Sequence, residues 1–269
     1  MSGRLGIYSQ VGNSSSIDPD AQAYITAGSI TNATEIAAIN QMFLDLKGTG
    51  STPNNTDVWN SLHWMNIASA TSLAASLNDL KGGYNLTAYN SPIWANTGIK
   101  GNNSNMYLQQ SYIASTNGSS LNSNSYGIAV RTAQTGNSSL MGVRSFNGGI
   151  PYNTLHYYVN QRYSGNNSYF TGVSASNWPT AVIISNRTSS ASYKVWIDNI
   201  VNQTISATTN ALAGSPMNIL SQNNAGTTAS NGNAEFTAVF EGEGLTDNQI
   251  EDLTDAIDTL NANIISGGR

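Results

Sequence analysis

The chain of 269 residues contains no cysteine. Disulfide bonds and thiolate metal ligands are therefore excluded, and stability has to come from packing, hydrogen bonding or assembly with other chains. Charged side chains are also scarce, at 9% of the sequence, against about 25% in an average globular protein. The surface must therefore consist mainly of Asn, Ser, Thr, Gln and Gly, which favour turns and sheet surfaces over helix interiors.

Long apolar runs and basic clusters are missing as well. No stretch approaches the ~20 apolar residues of a membrane-spanning helix, so we expect no membrane insertion. Residues 1–6 lack the apolar core of a signal peptide. The ten Lys and Arg residues are spread thinly and the net charge is −5, which predicts no nucleic-acid partner.

Histidine occurs only as His63 and His156, and there is no G-x-S-x-G motif, so nucleophilic catalysis has little support. His63 lies beside Trp64 in an apolar group, which favours a structural role. His156 lies in a predicted strand, where successive side chains point to opposite faces, so its side chain points either to solvent or to a binding face.

Metal binding has little support from the sequence, because there is neither a thiolate nor an imidazole pair. We expect no cofactor. A calcium site of Asp side chains and backbone carbonyls stays open. Its acidic candidates, for which turn chemistry is the simpler interpretation, are Asp18 with Asp20 and Glu241 with Glu243.

The clearest local pattern lies at the C-terminal end. Residues 235–241 alternate as in a strand, and the pattern places three apolar residues on one side: Phe236, Ala238 and Phe240. Thr246 and Gln249 form a capping box. The apolar residues that follow recur at spacings of three and four and predict one amphipathic helix: Ile250, Leu253, Ile257, Leu260 and Ile264.

Two further helices are predicted near the start. One covers 21–26 and is capped by Asp18 or Asp20, and the other lies within 30–47 with Thr31 or Asn32 at its cap.

From residue 84 onward, short strands and turn signals alternate as in a sandwich or barrel. The predicted strands are 105–113, 126–132, 139–146, 154–162, 180–187, 192–198, 200–206, 217–222 and 235–241, and 114–125 and 164–178 read as Asn/Ser-rich loops.

The ordered series of segments resembles a group of tailed-phage virion proteins that are similar to concanavalin A-like, laminin G-like jelly rolls. The segments that carry the resemblance are 17–25, 31–40, 58–62, 76–81, 84–107, 183–188, 195–199 and 236–264. The implied fold is mainly β: an antiparallel jelly-roll β-sandwich with an N-terminal helical segment and a C-terminal amphipathic helix. The resemblance implies an arm and helical attachment segment at 1–80, and a displayed sandwich with its closing helix at 84–264.

The same resemblance implies a function without catalysis. The expected role is a structural component on the exterior surface of a virion, as a head or tail fibre, a decoration protein or an adhesion component. Other virion proteins are the expected partners, and the chain is expected to form a homo-oligomer, with a trimer as the first expectation. A glycan on the host surface is the further partner implied.

A dense aromatic tract offers candidate glycan contacts: Tyr152, Tyr157, Tyr158, Tyr163, Tyr169, Phe170 and Trp178. Aromatic rings stack on the apolar faces of sugars, while Asn and Gln bind hydroxyl groups. Tyr163, Tyr169 and Trp178 are the selected contacts, although the simpler interpretation of the tract is that alternate aromatic residues fill the sandwich core.

Two alternatives to a virion protein stay open. One is a free carbohydrate-binding domain of lectin type. The other is a glycan-cleaving enzyme, which requires paired carboxylates. The E-x-D-x-x-E strand motif of laminarinase-like jelly rolls is missing, so Glu241 and Glu243 are the remaining pair.

Overall fold

The computed structural model describes residues 16–68, 71–144, 152–158, 161–168, 171–174 and 178–266. Two β-sheets form a sandwich, and helices cover the outer face of one sheet. This confirms the predicted mainly-β, jelly-roll-like sandwich with its C-terminal helix. The helices are α1 (Pro19–Ala27), α2 (Ala33–Leu46), α3 (Leu73–Ser76), α4 (Ala114–Asn117) and α5 (Asp247–Ser266), with a 3₁₀ turn at Trp59–Ser61.

The strands follow in chain order as β1 (Leu62–Ile67), β2 (Leu86–Tyr89), β3 (Ile93–Ala95), β4 (Gly98–Lys100), β5 (Tyr107–Gln110), β6 (Asn124–Thr132), β7 (Ser138–Arg144), β8 (Tyr152–Tyr158), β9 (Gln161–Ser168), β10 (Thr171–Ser174), β11 (Val182–Arg187), β12 (Ser192–Ile197), β13 (Ile200–Ser206), β14 (Asn218–Ile219), β15 (Gln222–Asn224), β16 (Thr227–Ala229) and β17 (Glu235–Gly242). Sheet A has the order β13-β12-β11-β6-β17-β4-β3, with β1 also paired to β17. Sheet B has the order β10-β9-β8-β7-β14-β5-β2, with β15 on β7 and β16 on β15.

The helix starts confirm the predicted caps. Asp18 Oδ1 accepts from the backbone N–H of Asp20 at 3.0 Å, and Asn32 Oδ1 accepts from the N–H of Glu35 at 3.0 Å. At α5 the capping box is complete. The Thr246 hydroxyl accepts from the N–H of Gln249 at 3.2 Å, and Gln249 Oε1 accepts from the N–H of Thr246 at 2.9 Å. These bonds satisfy donors that a helix start leaves unpaired.

Buried apolar side chains form two clusters on the two faces of sheet A. The outer cluster joins the helices to the sheet, and α2 residues such as Phe43 pack there with Ile257 of α5 and Phe240 of β17. The inner cluster fills the space between the sheets, with Ile128 of β6 and Leu155 of β8 among its members. The chain is therefore arranged as three layers: helices, sheet A and sheet B.

The prediction for β17 is wrong in one respect, because its three apolar residues do not share one side. Ala238 and Phe240 belong to the outer cluster, whereas Phe236 lies between the sheets with Val239. The pairing register of β17 on β6 shifts between Phe236 and Ala238, which marks a β-bulge. The extra residue in a bulge reverses the alternation of sides.

The segment 164–178 is wrongly predicted as a loop, since β9 and β10 lie largely within it. The predicted strand 154–162 is likewise two strands, because β8 ends at Tyr158 and β9 begins at Gln161. Asn166 shows why polarity misleads here. Its buried Nδ2 donates to the carbonyl oxygens of Asn124 at 3.1 Å and Ser185 at 3.2 Å. A buried amide is tolerated in a strand when its hydrogen bonds are made.

The proposed division at residues 1–80 and 84–264 stays a prediction. Within the first segment, α1 and α2 share the outer cluster with α5, and β1 pairs with β17 in sheet A. Among the described residues, none of the helices combines the length and the apolar character needed to cross a lipid bilayer.

Candidate functional site

Two tyrosines stack at the edge of sheet B, and we call this pair the tyrosine platform. Tyr89 ends β2, the outermost strand, and is paired in register with Tyr107 at the start of β5. The ring centroids are 4.6 Å apart and the ring planes differ by 5°. Tyr89 is 37% exposed. Aromatic surface at the rim of a sandwich is therefore available to a ligand.

Asparagine-rich loops flank the tyrosine platform. Asn90 Nδ2 donates to the carbonyl oxygen of Asn105 at 2.8 Å, which ties the loop after β2 to the loop before β5. Asn102 Oδ1 accepts from the backbone N–H groups of Ser104, Asn105 and Met106 at 3.0–3.1 Å. Asn90 Oδ1 and Asn105 Nδ2 have no partner within the described residues. These exposed amide atoms are suited to sugar hydroxyl groups.

The turn beside the tyrosine platform has an unusual backbone. Asn90 has φ +57° and Ser91 has φ +54°, both in the left-handed region. Asn tolerates this region, whereas for Ser it is uncommon. Ile93, which begins β3, follows directly and is 51% exposed. The turn thus combines a constrained backbone with an exposed apolar side chain at Ile93, at the start of β3 in sheet A.

The structure places the three predicted glycan contacts differently from one another. Trp178 is buried in the inner cluster, and the Arg162 guanidinium lies 5.3 Å from its ring centroid. Its indole is therefore covered in this structure. Tyr163 lies in β9, opposite His156 in the pairing register, and Tyr169 lies outside the described residues. A glycan-binding role for Tyr163, Tyr169 and Trp178 stays a prediction.

The two candidate carboxylates lie in unlike surroundings. Glu241 is part of β17 and only 2% exposed, so turn chemistry, the simpler interpretation of this residue in the sequence, is wrong. Its Oε2 accepts from Trp64 Nε1 at 3.3 Å, while Oε1 has no partner in the described part of the chain. Burial raises the pKa of Glu241 to about 7, against a lowering by the Trp64 hydrogen bond.

Glu243 lies at the surface and contacts His63. Its Oε1 is 3.3 Å from His63 Nε2, and the Glu243 side chain is 37% exposed. His63 Nδ1 is 2.7 Å from the Tyr112 hydroxyl, which also lies 2.7 Å from Ser119 Oγ. Burial lowers the pKa of His63, and the Glu243 charge opposes this. The ring also stacks on Tyr112 at 5.1 Å, an arrangement that ties β1 to the segment around α4 and fits a structural histidine.

His156 neither points freely to solvent nor joins a cluster of acids. It is half-buried in β8, and its Nδ1 lies 2.8 Å from Ser139 Oγ on β7. Burial lowers its pKa to about 4. In the described residues, no group of three or more His, Cys, Asp or Glu side chains is arranged to hold a metal ion.

No protein-family model and no curated protein sequence matches the chain. Solved structures do match. A Trypanosoma rangeli sialidase in complex with sialic acid aligns with TM-score 0.56 and 13% identity over 84% of this chain. The same sialidase with 2,3-difluorosialic acid, a covalent intermediate, aligns with TM-score 0.55 and 11% identity over 83% of this chain. A structure titled HCR/D W1238A mutant gives TM-score 0.52 and 8% identity over 73% of this chain.

The chain spans a minority of the sialidase structures, 39% and 38% of their length, and 52% of the HCR/D structure. At these identities the likeness concerns the fold. It agrees with the two-sheet sandwich described above.

Sequence reasoning did not select the tyrosine platform. A signal was available, because Tyr89 is followed by Asn90, and Tyr107 follows the Asn-rich stretch 102–105 near the start of a predicted strand. The resemblance used the tract 84–107 only as a marker of fold. The two rings meet because β2 and β5 pair in a particular register, and the sequence alone does not give this register.

Proposed function

We propose that the chain is a non-enzymatic structural protein on the exterior of a tailed-phage virion, and that it contacts glycans through the tyrosine platform. The observation that carries the glycan-binding part is the stacked pair of the exposed Tyr89 and the half-buried Tyr107, with amide atoms of Asn90 and Asn105 free in the flanking loops. Rings and amides in this arrangement match the apolar faces and the hydroxyl groups of a sugar.

The likeness to a sialidase solved with sialic acid supports glycans as the first ligand class to test. The virion assignment is supported by the resemblance to tailed-phage virion proteins, because the matching segments occur in the same order along the chain. The segments at the two ends of the chain that carry it, 17–25, 31–40 and 236–264, meet in the structure within the outer cluster. A shared layer of this kind suits attachment, since it leaves the rim of sheet B free for display.

The environment of Glu241 supports the absence of catalysis. A pair of carboxylates that cleaves a glycosidic bond must flank that bond. Glu241 is buried against Trp64, whereas Glu243 is engaged by His63. A substrate has no access to both carboxylates in this arrangement.

A glycan array probed with the purified full chain tests the proposal. We expect retention of a restricted set of glycans, and recovery of these glycans with unchanged mass after prolonged incubation. Release of shortened glycans would show an enzyme, and an array without any retained glycan would remove the glycan-binding part of the proposal.

The free lectin domain is the second candidate, and the molar mass in solution separates the two. Light scattering at two protein concentrations is expected to show a homo-oligomer, with a trimer as the first expectation. A monomer that binds glycans at both concentrations would favour the free lectin domain instead.

A further inference from the structure

A cleft separates the C-terminal half of α5 from sheet A, and we call it the α5 cleft. Its volume is about 480 Å³, within the range of ~300–1,000 Å³ that small-molecule sites occupy. Six polar side chains line it: Arg131, Thr180, Asp198, Thr237, Asp258 and Asn261. A second depression of about 310 Å³ continues past Asp258, where Asp45, Thr52 and Asp255 contribute to its wall.

Several polar groups along the α5 cleft lack a partner. Thr237 is 7% exposed, yet its hydroxyl makes no hydrogen bond to any described residue. Asp258 is exposed and Asn261 is half-buried, and neither side chain has a hydrogen-bond or ion-pair partner in the described residues. The buried Thr52 hydroxyl in the second depression is also unpartnered there. Burial without a partner is unfavourable for the Thr52 hydroxyl, whereas at Asp258, Asn261 and the Thr237 hydroxyl a ligand in the cleft would take the place of water.

The charge around the α5 cleft is negative. Asp198 and Asp258 line the first part, and Asp45, Asp255 and Asp258 line the second. The one cation in the lining, Arg131, is already engaged, because its Nε lies 3.8 Å from Glu235 Oε1 and its Nη1 donates to the Thr97 carbonyl oxygen at 3.4 Å. Partial burial raises the pKa of Asp258, and the charges of Asp198 and Asp255 raise it further. A cationic ligand would relieve this repulsion.

The carboxylates come from separate elements, since Asp255 and Asp258 lie on α5, Asp198 lies in the β12–β13 turn and Asp45 lies near the end of α2. No group of three or more acidic or His side chains among the described residues has the geometry of a metal site. Small apolar side chains, Ala129, Ala181 and Val182, also line the cleft. Spaced carboxylates together with methyl groups fit an extended cation whose ammonium groups are separated by methylene segments.

We propose that the α5 cleft binds a small organic cation of the diamine or polyamine class. Its ammonium groups pair with Asp258 and Asp198, and one of them donates to the Thr237 hydroxyl. Its methylene segments lie on Ala129 and Val182. This site is separate from the tyrosine platform, so it adds a second ligand class to the glycan proposed above.

Calorimetric titration of the full chain with spermidine tests this proposal. We expect saturable binding, and a loss of affinity of about tenfold or more in Asp258→Asn. Thr237→Val is expected to weaken binding to a smaller extent. The matched control is Asp247→Asn, on the exposed start of the same helix, where the carboxylate pairs with Lys194 at 3.2 Å. This variant is expected to bind as the wild type does.

Three results would overturn the proposal. The first is the absence of saturable heat at constant ionic strength. The second is an equal loss in Asp258→Asn and Asp247→Asn, which would show general charge attraction. The third is an Asp258-dependent site that prefers Mg²⁺ or Ca²⁺ to spermidine. Asp258→Asn should fold normally, since Asp258 makes no hydrogen bond to the described residues, and circular dichroism checks this.

Discussion

Glu241 is the most unusual single residue of the sandwich. It is an acid in the space between the sheets, held by one hydrogen bond from Trp64. Because burial raises its pKa from 4.5 to about 7, the folded chain retains a proton that the unfolded chain releases. The free energy of unfolding therefore falls as the pH rises from about 4.5 to 7, and this contribution levels off above that range.

The variant Glu241→Gln is expected to remove this part of the pH dependence. A neutral amide carries no ionisation cost, so the variant should gain about 2–3 kcal/mol over the wild type at pH 8 and much less at pH 5. Urea unfolding of both proteins at these two pH values measures the difference. A gain that is the same at both pH values would contradict an ionisable, buried Glu241.

Arg187 is a second buried charge, and it has no carboxylate partner among the described residues. Its Nε donates to the carbonyl oxygen of Asn166 at 2.8 Å, and its Nη1 donates to those of Ser189 and Ala207, both at 3.0 Å. The guanidinium also lies 5.2 Å from the ring centroid of Tyr193. Arg187 thus joins β11 to β9 and to the segments on both sides of the β12–β13 hairpin.

Arg187→Ala should destabilise the protein by about 3 kcal/mol or more, since each buried carbonyl left unpaired costs about 1–3 kcal/mol. Arg131→Ala is the matched control. Its side chain is 33% exposed and its ion pair with Glu235 is long, at 3.8 Å, so we expect a loss within about 1 kcal/mol. The measurement is the free energy of unfolding in urea. An equal loss in the two variants would show that the hydrogen bonds of Arg187 add no more stability than the surface ion pair of Arg131.

Among the elements, the capped helices α1, α2 and α5 were the most predictable, whereas the short α4 lies in the stretch 114–125 that was predicted as a loop. Caps are local, and a side chain such as Asn32 or Thr246 acts on a backbone N–H three residues away, so the sequence alone identifies it. The Asp198-Asn199 pair is a local signal of the same kind, because Asp and Asn tolerate the left-handed backbone of a tight turn. Asp198 adopts φ +52° between β12 and β13, in a turn that requires a left-handed residue.

The strands of sheet B were less predictable, because contacts between residues far apart in the sequence determine which segments become strands. Asn166 reads as a loop residue, but partners on β6 and β11 satisfy its amide inside the sandwich. The β-bulge in β17 also depends on a long-range contact. The register of β17 on β6 determines its position, and the apolar alternation within β17 gives no sign of it. The tyrosine platform also depends on register, and for that reason the sequence did not identify it.

The capping box of α5 gives a test at this scale. Thr246→Ala removes the hydroxyl that accepts from Gln249 N–H, and we expect a loss of about 1 kcal/mol in the free energy of unfolding. Asn248→Ala, at an exposed position in the first turn, is the control and should change the stability little. The comparison is made by urea unfolding, and an equal effect of the two variants would argue against the cap.

At the scale of the whole molecule, the outer cluster connects the two ends of the chain. Phe43 of α2, Ile257 of α5 and Phe240 of β17 pack in it together. The segments assigned to attachment therefore share a core with the sandwich. The functional division at residues 1–80 and 84–264 does not require two folding units.

We accordingly expect a single unfolding transition. In calorimetry, the helices and the sandwich should melt together, and Phe43→Ala should lower the temperature of this one transition through a loss of about 3–5 kcal/mol. Two separate transitions, with only the earlier one shifted by Phe43→Ala, would show that the helical layer folds independently of the sheets.

In the proposed function, the stacked rings of Tyr89 and Tyr107 at the rim of sheet B bind a glycan. The most direct test is calorimetric titration of the best array glycan into the wild type, Tyr89→Ala, Tyr107→Ala and the control Ile200→Ala, which removes an exposed apolar side chain on β13 of sheet A. We predict that each tyrosine variant loses about tenfold or more in affinity and that the control binds as the wild type does. Unchanged affinity in both tyrosine variants would show that the tyrosine platform is not the glycan-binding site.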